Sequence, residues 1–282
     1  MANKVAIVTD STGALPENIN KECELHIVPL LIEWDGKTYV DGVDLNPQAF
    51  YEKLSASKTI PTTSQPSTAA FSDTFAPLIE QGYDILCLTI SSKISGTYLS
   101  ASTAAKQFPE NRIEVLDTLY TSLALGMITI LAARAAQQGA SLLECHNIAM
   151  DAASRMHVYF AVETLEYLQK GGRINSATKL LGTALDIKPI LELKDGLIVP
   201  CEQVRTSKKA HMRLLELAEN IVGPMGTIEY LGLVSANNPE ALDELHTKAH
   251  QRFRVKEEIF ADTSPVLGTH VGPGMVGVVI LA

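Results

Sequence analysis

The chain has little cysteine: four residues in 282, at Cys23, Cys87, Cys145 and Cys201. They stand far apart, and none forms the C-x-x-C pair of a zinc knuckle or a redox motif. This spacing is typical of buried thiols in a reducing compartment and gives no support to a disulfide framework. We therefore expect free thiols and a cytoplasmic location.

Basic residues are also scarce, with 23 Lys and Arg against 32 Asp and Glu and a formal net charge of -9. They are scattered and form no stripe along a helix or strand, which argues against binding to nucleic acid or to an anionic membrane surface. An anionic ligand must therefore be held by local hydrogen-bond donors, because the overall field repels it.

Apolar runs long enough to cross a membrane are missing too. The stretch Thr118–Ala133 is too short to span a hydrocarbon layer of about 30 Å, contains several hydroxyl side chains, and predicts a buried helix. Near the start, Val5–Val8 reaches Asp10 too soon to form the core of a signal peptide. We expect neither export nor stable membrane insertion.

The chain does have enough apolar residues for a full core. Hydrophobic residues make up 46% of it and charged residues 20%, and no segment is repetitive or polar enough to be disordered. At 282 residues it exceeds the usual size of one hydrophobic core. We predict two domains, residues 1–155 and residues 156–282, with an approximate boundary.

The first domain alternates strands with helices, which predicts an α/β fold with a Rossmann-like parallel sheet and helices on both faces. The predicted sheet strands are Lys4–Thr9, Leu25–Trp34, Tyr83–Ile90 and Arg112–Leu116. Ligands of such sheets bind beyond the carboxyl ends of the strands. Three polar loops follow strands there: Asp10–Thr12, Ser91–Thr97 and Asp117–Thr118.

The second domain has a different pattern, with a hairpin signal at Lys194–Gly196 and strands predicted on both sides of it, at Asp186–Leu193 and Leu197–Val204. Later strands and helices alternate less regularly. We predict a mixed α/β sheet domain, and a cleft between two dissimilar domains is a favoured place for a ligand.

Three groups of residues are candidates for holding an anion. Ser95 and Gly96 open a helix, where a hydroxyl and free backbone N–H groups suit a carboxylate or phosphate. Thr63 and Ser64 lie in the polar loop before another helix and supply further hydroxyls. His270 lies in a glycine-rich segment, predicted as a loop, where an imidazole can point into a cleft. Each group serves equally well as an ordinary cap or loop.

Other motifs are weaker. Arg173 and Arg205 can each meet an anion or a partner, or simply be solvated. His246 and His250 are spaced i, i+4 on a predicted helix, but no third ligand is evident, so no metal site is predicted. The glycines from Gly272 to Gly277 match a dinucleotide fingerprint with too little chain after it.

A serine hydrolase is the alternative from a different class, with Ser95 as nucleophile, His270 as base and Asp10 or Asp117 as orienting group. No G-x-S-x-G elbow is present, and Ser95 stands several residues past the strand end. We predict that the chain is not an enzyme.

Six segments in order resemble the DegV family, and the match spans about residues 4–281. They are Thr9–Thr12, Thr63–Ser67, Ser91–Tyr98, Gly171–Ile174, Val204–Thr206 and Thr269–Gly274. The resemblance implies two α/β domains and a single long-chain, palmitate-like fatty acid in an apolar tunnel, with its carboxylate near the domain junction. It implies a role in lipid transport or fatty acid metabolism and no cofactor.

The resemblance also implies roles for particular residues. Thr63 and Ser95 resemble the carboxylate ligands, with Thr62, Ser64 and Gly96 beside them, and His270 resembles the residue that approaches from the second domain. In family members that work with an ATP-dependent fatty acid kinase, the bound acid is phosphorylated on its carboxylate. Arg173 and Arg205 are where such a partner or an acyl phosphate would be met.

Overall fold

The computed structural model describes residues 3–180 and 187–282. Its first half contains the following strands and helices: β1 (Val5–Asp10), α1 (Glu17–Glu22), β2 (His26–Val28), β3 (Leu31–Trp34), β4 (Lys37–Val40), α2 (Pro47–Ala56), β5 (Thr62–Ser64), α3 (Thr68–Glu80), β6 (Asp84–Thr89), α4 (Thr97–Ala105), β7 (Ile113–Asp117), α5 (Ser122–Gln137) and α6 (Leu142–Ser154).

The second half is built from β8 (Met156–Ala161), α7 (Glu166–Lys170), a 3-10 turn (Asn175–Leu180), β9 (Lys188–Lys194), β10 (Leu197–Val204), α8 (Ser207–Val222), β11 (Thr227–Ser235), α9 (Pro239–Arg252), β12 (Arg254–Asp262), α10 (Pro265–Val271) and β13 (Val276–Leu281). The predicted strand Asp186–Leu193 corresponds to β9, and Asp186 itself lies outside the described residues.

The predicted parallel sheet is confirmed, with strand order β2-β1-β6-β7 and parallel pairing throughout. Its strands are apolar on both faces because helices cover both. Ala6 and Val8 face α3 and α4, whereas Val5 and Ile7 alternate to the side of α5 and α6. The α/β class predicted from the alternation of strands and helices is therefore correct.

Two predictions in this half need correction. The run Leu25–Trp34 is not one strand but two, because Pro29 interrupts it and cannot donate to a strand ladder. β2 joins the parallel sheet, and β3 joins a small antiparallel sheet of order β4-β3-β5. The segment Pro61–Ser67, expected to be a loop, contributes β5, in which Thr63 pairs with Ile32 of β3.

The second half forms a mixed sheet, as predicted, and its six strands have the order β10-β9-β8-β13-β11-β12. β11 and β12 pair in parallel, and the other neighbours are antiparallel. One face packs on α8 and α9. The other face turns toward the first half, where it meets α5. β7 belongs to the four-stranded sheet and β8 to the six-stranded sheet. The domain division at residue 155 stays a prediction.

The glycine-rich segment around His270 is a helix and not the loop that the sequence predicted. α10 begins after Ser264, whose side chain accepts from the Leu267 N–H, and Pro265 occupies its first turn. It ends at Gly272, where φ is +72°. The buried carboxylate of Asp41 accepts from the Val266 N–H and so ties the start of α10 to the first half.

Across residues 3–180 and 187–282, none of the helices combines the length and the apolar character needed to cross a bilayer. The stretch Thr118–Ala133, predicted to be a buried helix, forms most of α5.

Truncating Leu123 of α5 tests the packing between the sheets. Leu123 is 0% exposed, and Leu123→Ala should lower the free energy of unfolding by about 2–5 kcal/mol, because it removes buried contacts and leaves a cavity. Urea unfolding measures this change. The matched control is Leu143→Ala, where the side chain is 68% exposed and the expected change is within about 0.5 kcal/mol. Equal effects in both variants would contradict this packing.

Candidate functional site

A cavity lies between the loops of the first half and the apolar face of the six-stranded sheet, with about 900 Å³ of unfilled space, its opening to solvent included. Both halves of the chain supply its walls. The lining residues are Leu30, Thr63, Ser64, Gln65, Ile90, Ile94, Ser95, Thr121, Ser122, Val158, Phe160, Leu168, Arg173, Leu193, Ile198, Val234, Thr263, Val266, Leu267, His270, Val271, Met275, Gly277 and Val279.

The sheet provides a continuous apolar wall. Val158 and Phe160 alternate with residues of the opposite face along β8, and Val279 does the same on the neighbouring β13. At Gly277 an added Cβ would stand 2.9 Å from Val234 Cγ1 and 3.3 Å from Phe160 Cβ. Glycine at this position therefore lets Val234 and Phe160, which also line the cavity, keep their places.

Polar side chains gather around a contact between the two halves. The Thr63 hydroxyl on β5 lies 2.8 Å from His270 Nε2 on α10. Ser64, Gln65, Ser95 and Arg173 also line the cavity. The structure thus brings together five residues that the sequence proposed in separate segments, and Gln65 is an addition to them.

His270 is a neutral imidazole in this setting. Burial, and secondarily the charge of Arg173, lower the pKa of His270 from 6.5 to about 4. Gly171 leaves the space for the ring, because a Cβ there would lie 2.2 Å from Nδ1.

The tautomer of His270 determines what Thr63 can offer. Nδ1 is buried and has no hydrogen-bond partner among the described residues. We assign the proton to Nε2, which then donates to the Thr63 oxygen, since the buried Nδ1 would otherwise be an unsatisfied donor. The hydroxyl hydrogen of Thr63 is left free to donate into the cavity.

Ser95 and Gly96 lie at the start of α4. The Ser95 and Thr97 hydroxyl oxygens are 2.8 Å apart, and Ser95 Oγ also accepts from the Thr97 N–H. Gly96 is the residue before the helix, and an added Cβ there would lie 2.9 Å from Gln65 Nε2. Gly96 therefore allows Gln65 to pack over the helix start.

The remaining predicted site residues are placed differently. Thr62 is exposed and is not among the residues that line the cavity. Arg173 lines it, donating from Nε to the Ile94 carbonyl and from Nη1 to the Gly171 carbonyl. Arg205 is exposed in the turn before α8 and does not line the cavity.

The other two polar loops at the strand ends support the site without lining it. Asp10 is buried, and it accepts from the Thr12 N–H and hydroxyl and from the Ile90 N–H. Asp117 accepts from the N–H groups of Ser92 and Leu119. These carboxylates fix the loops that follow β1, β6 and β7.

The hydrolase alternative needs Asp10 or Asp117 to orient His270, but both carboxylates accept hydrogen bonds from loop N–H groups. A triad requires a group that holds the base through its second ring nitrogen, but His270 Nδ1 has no such partner within the described residues. Its Nε2 contacts Thr63 and not Ser95.

Sequence reasoning missed several lining residues. Gln65 lies in the Thr63–Ser67 segment and was available from that motif. Thr121 and Ser122 at the start of α5, and Thr263 before α10, carry no local signal, because they reach the cavity only through the packing of the two halves.

Comparisons with known proteins agree with this architecture. The family model described as uncharacterised protein, DegV family, matches residues 4–282. DegV domain-containing protein TTE1491 of Caldanaerobacter subterraneus subsp. tengcongensis is 34% identical over 275 residues, which cover 98% of both chains.

Solved structures show the same similarity. A structure of a DegV family protein from Thermus thermophilus, described by its fatty acid binding, matches with a TM-score of 0.93 and 32% identity and covers 99% of both chains. DegV from Bacillus subtilis, described as a fatty acid binding protein, matches with a TM-score of 0.87 and 29% identity over 100% of both chains.

The lowered pKa of His270 predicts a pH dependence of stability. Below pH 6.5 the unfolded chain binds a proton at His270 that the folded chain takes up only near pH 4, so wild type loses stability as the pH falls. Between pH 7 and pH 5 the loss is about 2 kcal/mol. The free energy of unfolding of wild type minus that of His270→Gln, measured with urea, should therefore fall by this amount between pH 7 and pH 5.

The comparison between variants is needed because Asp41 acts in the opposite direction. Burial raises the pKa of Asp41 to about 6, so the stability that its proton contributes at low pH is lost as the pH rises through that value. Asp41 is present in both proteins, and its contribution cancels in the difference. A difference that stays constant from pH 7 to pH 5 would contradict a buried neutral His270.

Proposed function

Because the chain belongs to the DegV family, we propose that its cavity binds a single long-chain fatty acid, with the carboxylate at the Thr63, Ser95 and His270 end and the acyl chain along the sheet. One observation carries this proposal: the apolar wall of the cavity ends at a cluster of hydrogen-bond donors. This arrangement suits a ligand with one polar end and a long apolar tail.

Local donors must hold the carboxylate, since the chain has a net charge of -9. The Thr63 hydroxyl hydrogen, left free by the assigned tautomer of His270, is one donor, and the Ser95 hydroxyl and the Gly96 N–H are others. Hydrogen bonds to an ionised carboxylate are stronger than bonds between neutral groups. The guanidinium of Arg173 adds a positive charge at the same end of the cavity.

The acyl chain supplies most of the binding free energy. Each methylene transferred from water to an apolar environment contributes about 0.8 kcal/mol, so a palmitate-like tail outweighs the polar end several-fold. Slow release follows from this balance. Binding of this kind requires no catalytic residue and no cofactor, which fits a carrier in lipid transport or fatty acid metabolism.

The proposal extends to a partner, an ATP-dependent fatty acid kinase that phosphorylates the bound carboxylate. The feature that supports this step is the position of the two arginines. Arg173 lies at the polar end of the cavity, where an acyl phosphate would form, and Arg205 is exposed and free to meet a protein surface. His270 contacts Thr63 and Ser95 contacts Thr97, and among the described residues neither contact favours hydrolysis as a second candidate.

Native mass spectrometry of the protein purified from cells tests the ligand and its anchor. We expect one fatty acid per chain in wild type and strongly reduced occupancy in Thr63→Val combined with Ser95→Ala, because the carboxylate loses both hydroxyl donors. Thr62→Val is the matched control and should retain the ligand, since its side chain lies outside the cavity. A wild-type protein that stays empty when offered palmitate would overturn the proposal.

Filling the space at Gly277 tests the path of the tail. Gly277→Ala and Gly277→Val should shift the bound acids progressively toward shorter chains, because the new atoms and the Val234 and Phe160 side chains that they displace take up cavity space. Denaturing extraction followed by chain-length analysis measures the shift. An unchanged distribution in both folded variants would place the tail elsewhere.

A further inference from the structure

Three ligand-type side chains meet on the surface of the second half. His246 and His250 lie one turn apart on α9, and Glu258 lies on the adjacent strand β12. Glu258 Oε2 is 3.4 Å from His246 Nε2 and 2.7 Å from His250 Nε2. One ligand atom from each residue lies within 4.8 Å of the other two.

Glu258 is a third candidate ligand that the sequence did not reveal. The i, i+4 pair alone gave no reason to predict a metal site, because the nearest acidic candidate in space stands eight residues past His250. The turn from α9 into β12 brings Glu258 back beside the histidines. The distance in sequence between the helix and the strand hid this arrangement.

We propose that His246, His250 and Glu258 form a binding site for a divalent transition-metal ion of the Zn²⁺ class. Two imidazoles and one carboxylate are the ligand set of many zinc sites with an open fourth position, whereas Mg²⁺ and Ca²⁺ prefer oxygen ligands alone. With bonds of about 2.1 Å, ligand atoms in a tetrahedral site lie about 3.4 Å apart. The separation of His246 Nε2 and Glu258 Oε2 has this value.

Small adjustments complete the geometry. His250 and Glu258 now share a hydrogen bond, and a metal ion would replace its proton and separate the two atoms slightly. The side chains of all three residues are between 34% and 45% exposed, so this movement meets little resistance. The His246 ring packs edge-on against Phe260 at 4.8 Å between centroids, which holds one ligand in place.

The site is separate from the fatty acid cavity. α9 packs on one face of the six-stranded sheet through Leu245 and Ala249, whereas the cavity lies against the other face. A metal ion here would link α9 to β12, the edge strand of the sheet, and would stabilise the folded state without contacting the cavity.

Titration calorimetry with Zn²⁺ on the chelator-treated full-length protein tests the site. We expect one Zn²⁺ per chain, and a loss of affinity of about tenfold or more in each of His246→Gln, His250→Gln and Glu258→Gln. Wild type mixed with Co²⁺ should show the visible absorption of a protein-bound ion, and the three variants should not. Zn²⁺ should raise the Tm of wild type more than it raises the Tm of these three variants.

A histidine–carboxylate pair elsewhere provides the matched control. His146 Nδ1 lies 3.6 Å from Glu114 Oε1 with the same residue types, and His146→Gln should bind Zn²⁺ as wild type does. Equal Tm values without metal will show that the variants fold. The fatty acid content measured by native mass spectrometry should not change, which separates this test from the proposed function.

Two results would overturn the assignment. Wild-type affinity for Zn²⁺ no greater than that of a variant lacking both histidines would show that these residues hold no ion. Full affinity in Glu258→Gln would remove the carboxylate from the site and leave only a surface histidine pair.

Discussion

The burial of α5 between the two larger sheets is the constraint from which the site follows. Its residues from Leu123 to Ala133 are almost all buried, which only a helix covered on every side can satisfy. Close approaches permit this: a Cβ at Gly126 would lie 2.5 Å from the Gly13 carbonyl oxygen, and one at Gly232 would lie 2.6 Å from Met127 Cε. The helix sets the separation of the sheets, and the cavity is the space beyond its first residues, Thr121 and Ser122.

The polar end of the cavity depends on contacts between the halves of the chain. α10 is held at its start by Asp41, and His270 near its end contacts Thr63 on β5. Gly171 gives the imidazole its space. These contacts fix a neutral histidine against a hydroxyl, with the guanidinium of Arg173 nearby.

The same geometry separates a binding role from a catalytic one. A hydrolase needs a base that is oriented from behind and aimed at a nucleophile, whereas His270 has no partner behind it among the described residues and faces Thr63. Asp10 and Asp117, the carboxylates that a triad would use, hold loop N–H groups instead. The apolar wall of the cavity and the use of these carboxylates in the loops agree with the proposed carrier role.

The sequence by itself determined the α/β class, most strands and helices, and the motifs around Thr63 and Ser95, because these depend on local periodicity, caps and family resemblance. It did not reveal that the strands on either side of Pro29 belong to two different sheets. Nor did it reveal the helix that carries His270, or that Gln65 lines the cavity. Those features arise when distant segments pack, as does the pairing of Glu258 with two histidines on α9. Only the tertiary structure decided which polar residues come into contact, because residues far apart in sequence are brought together by the packing of strands and helices and not by their spacing in the chain.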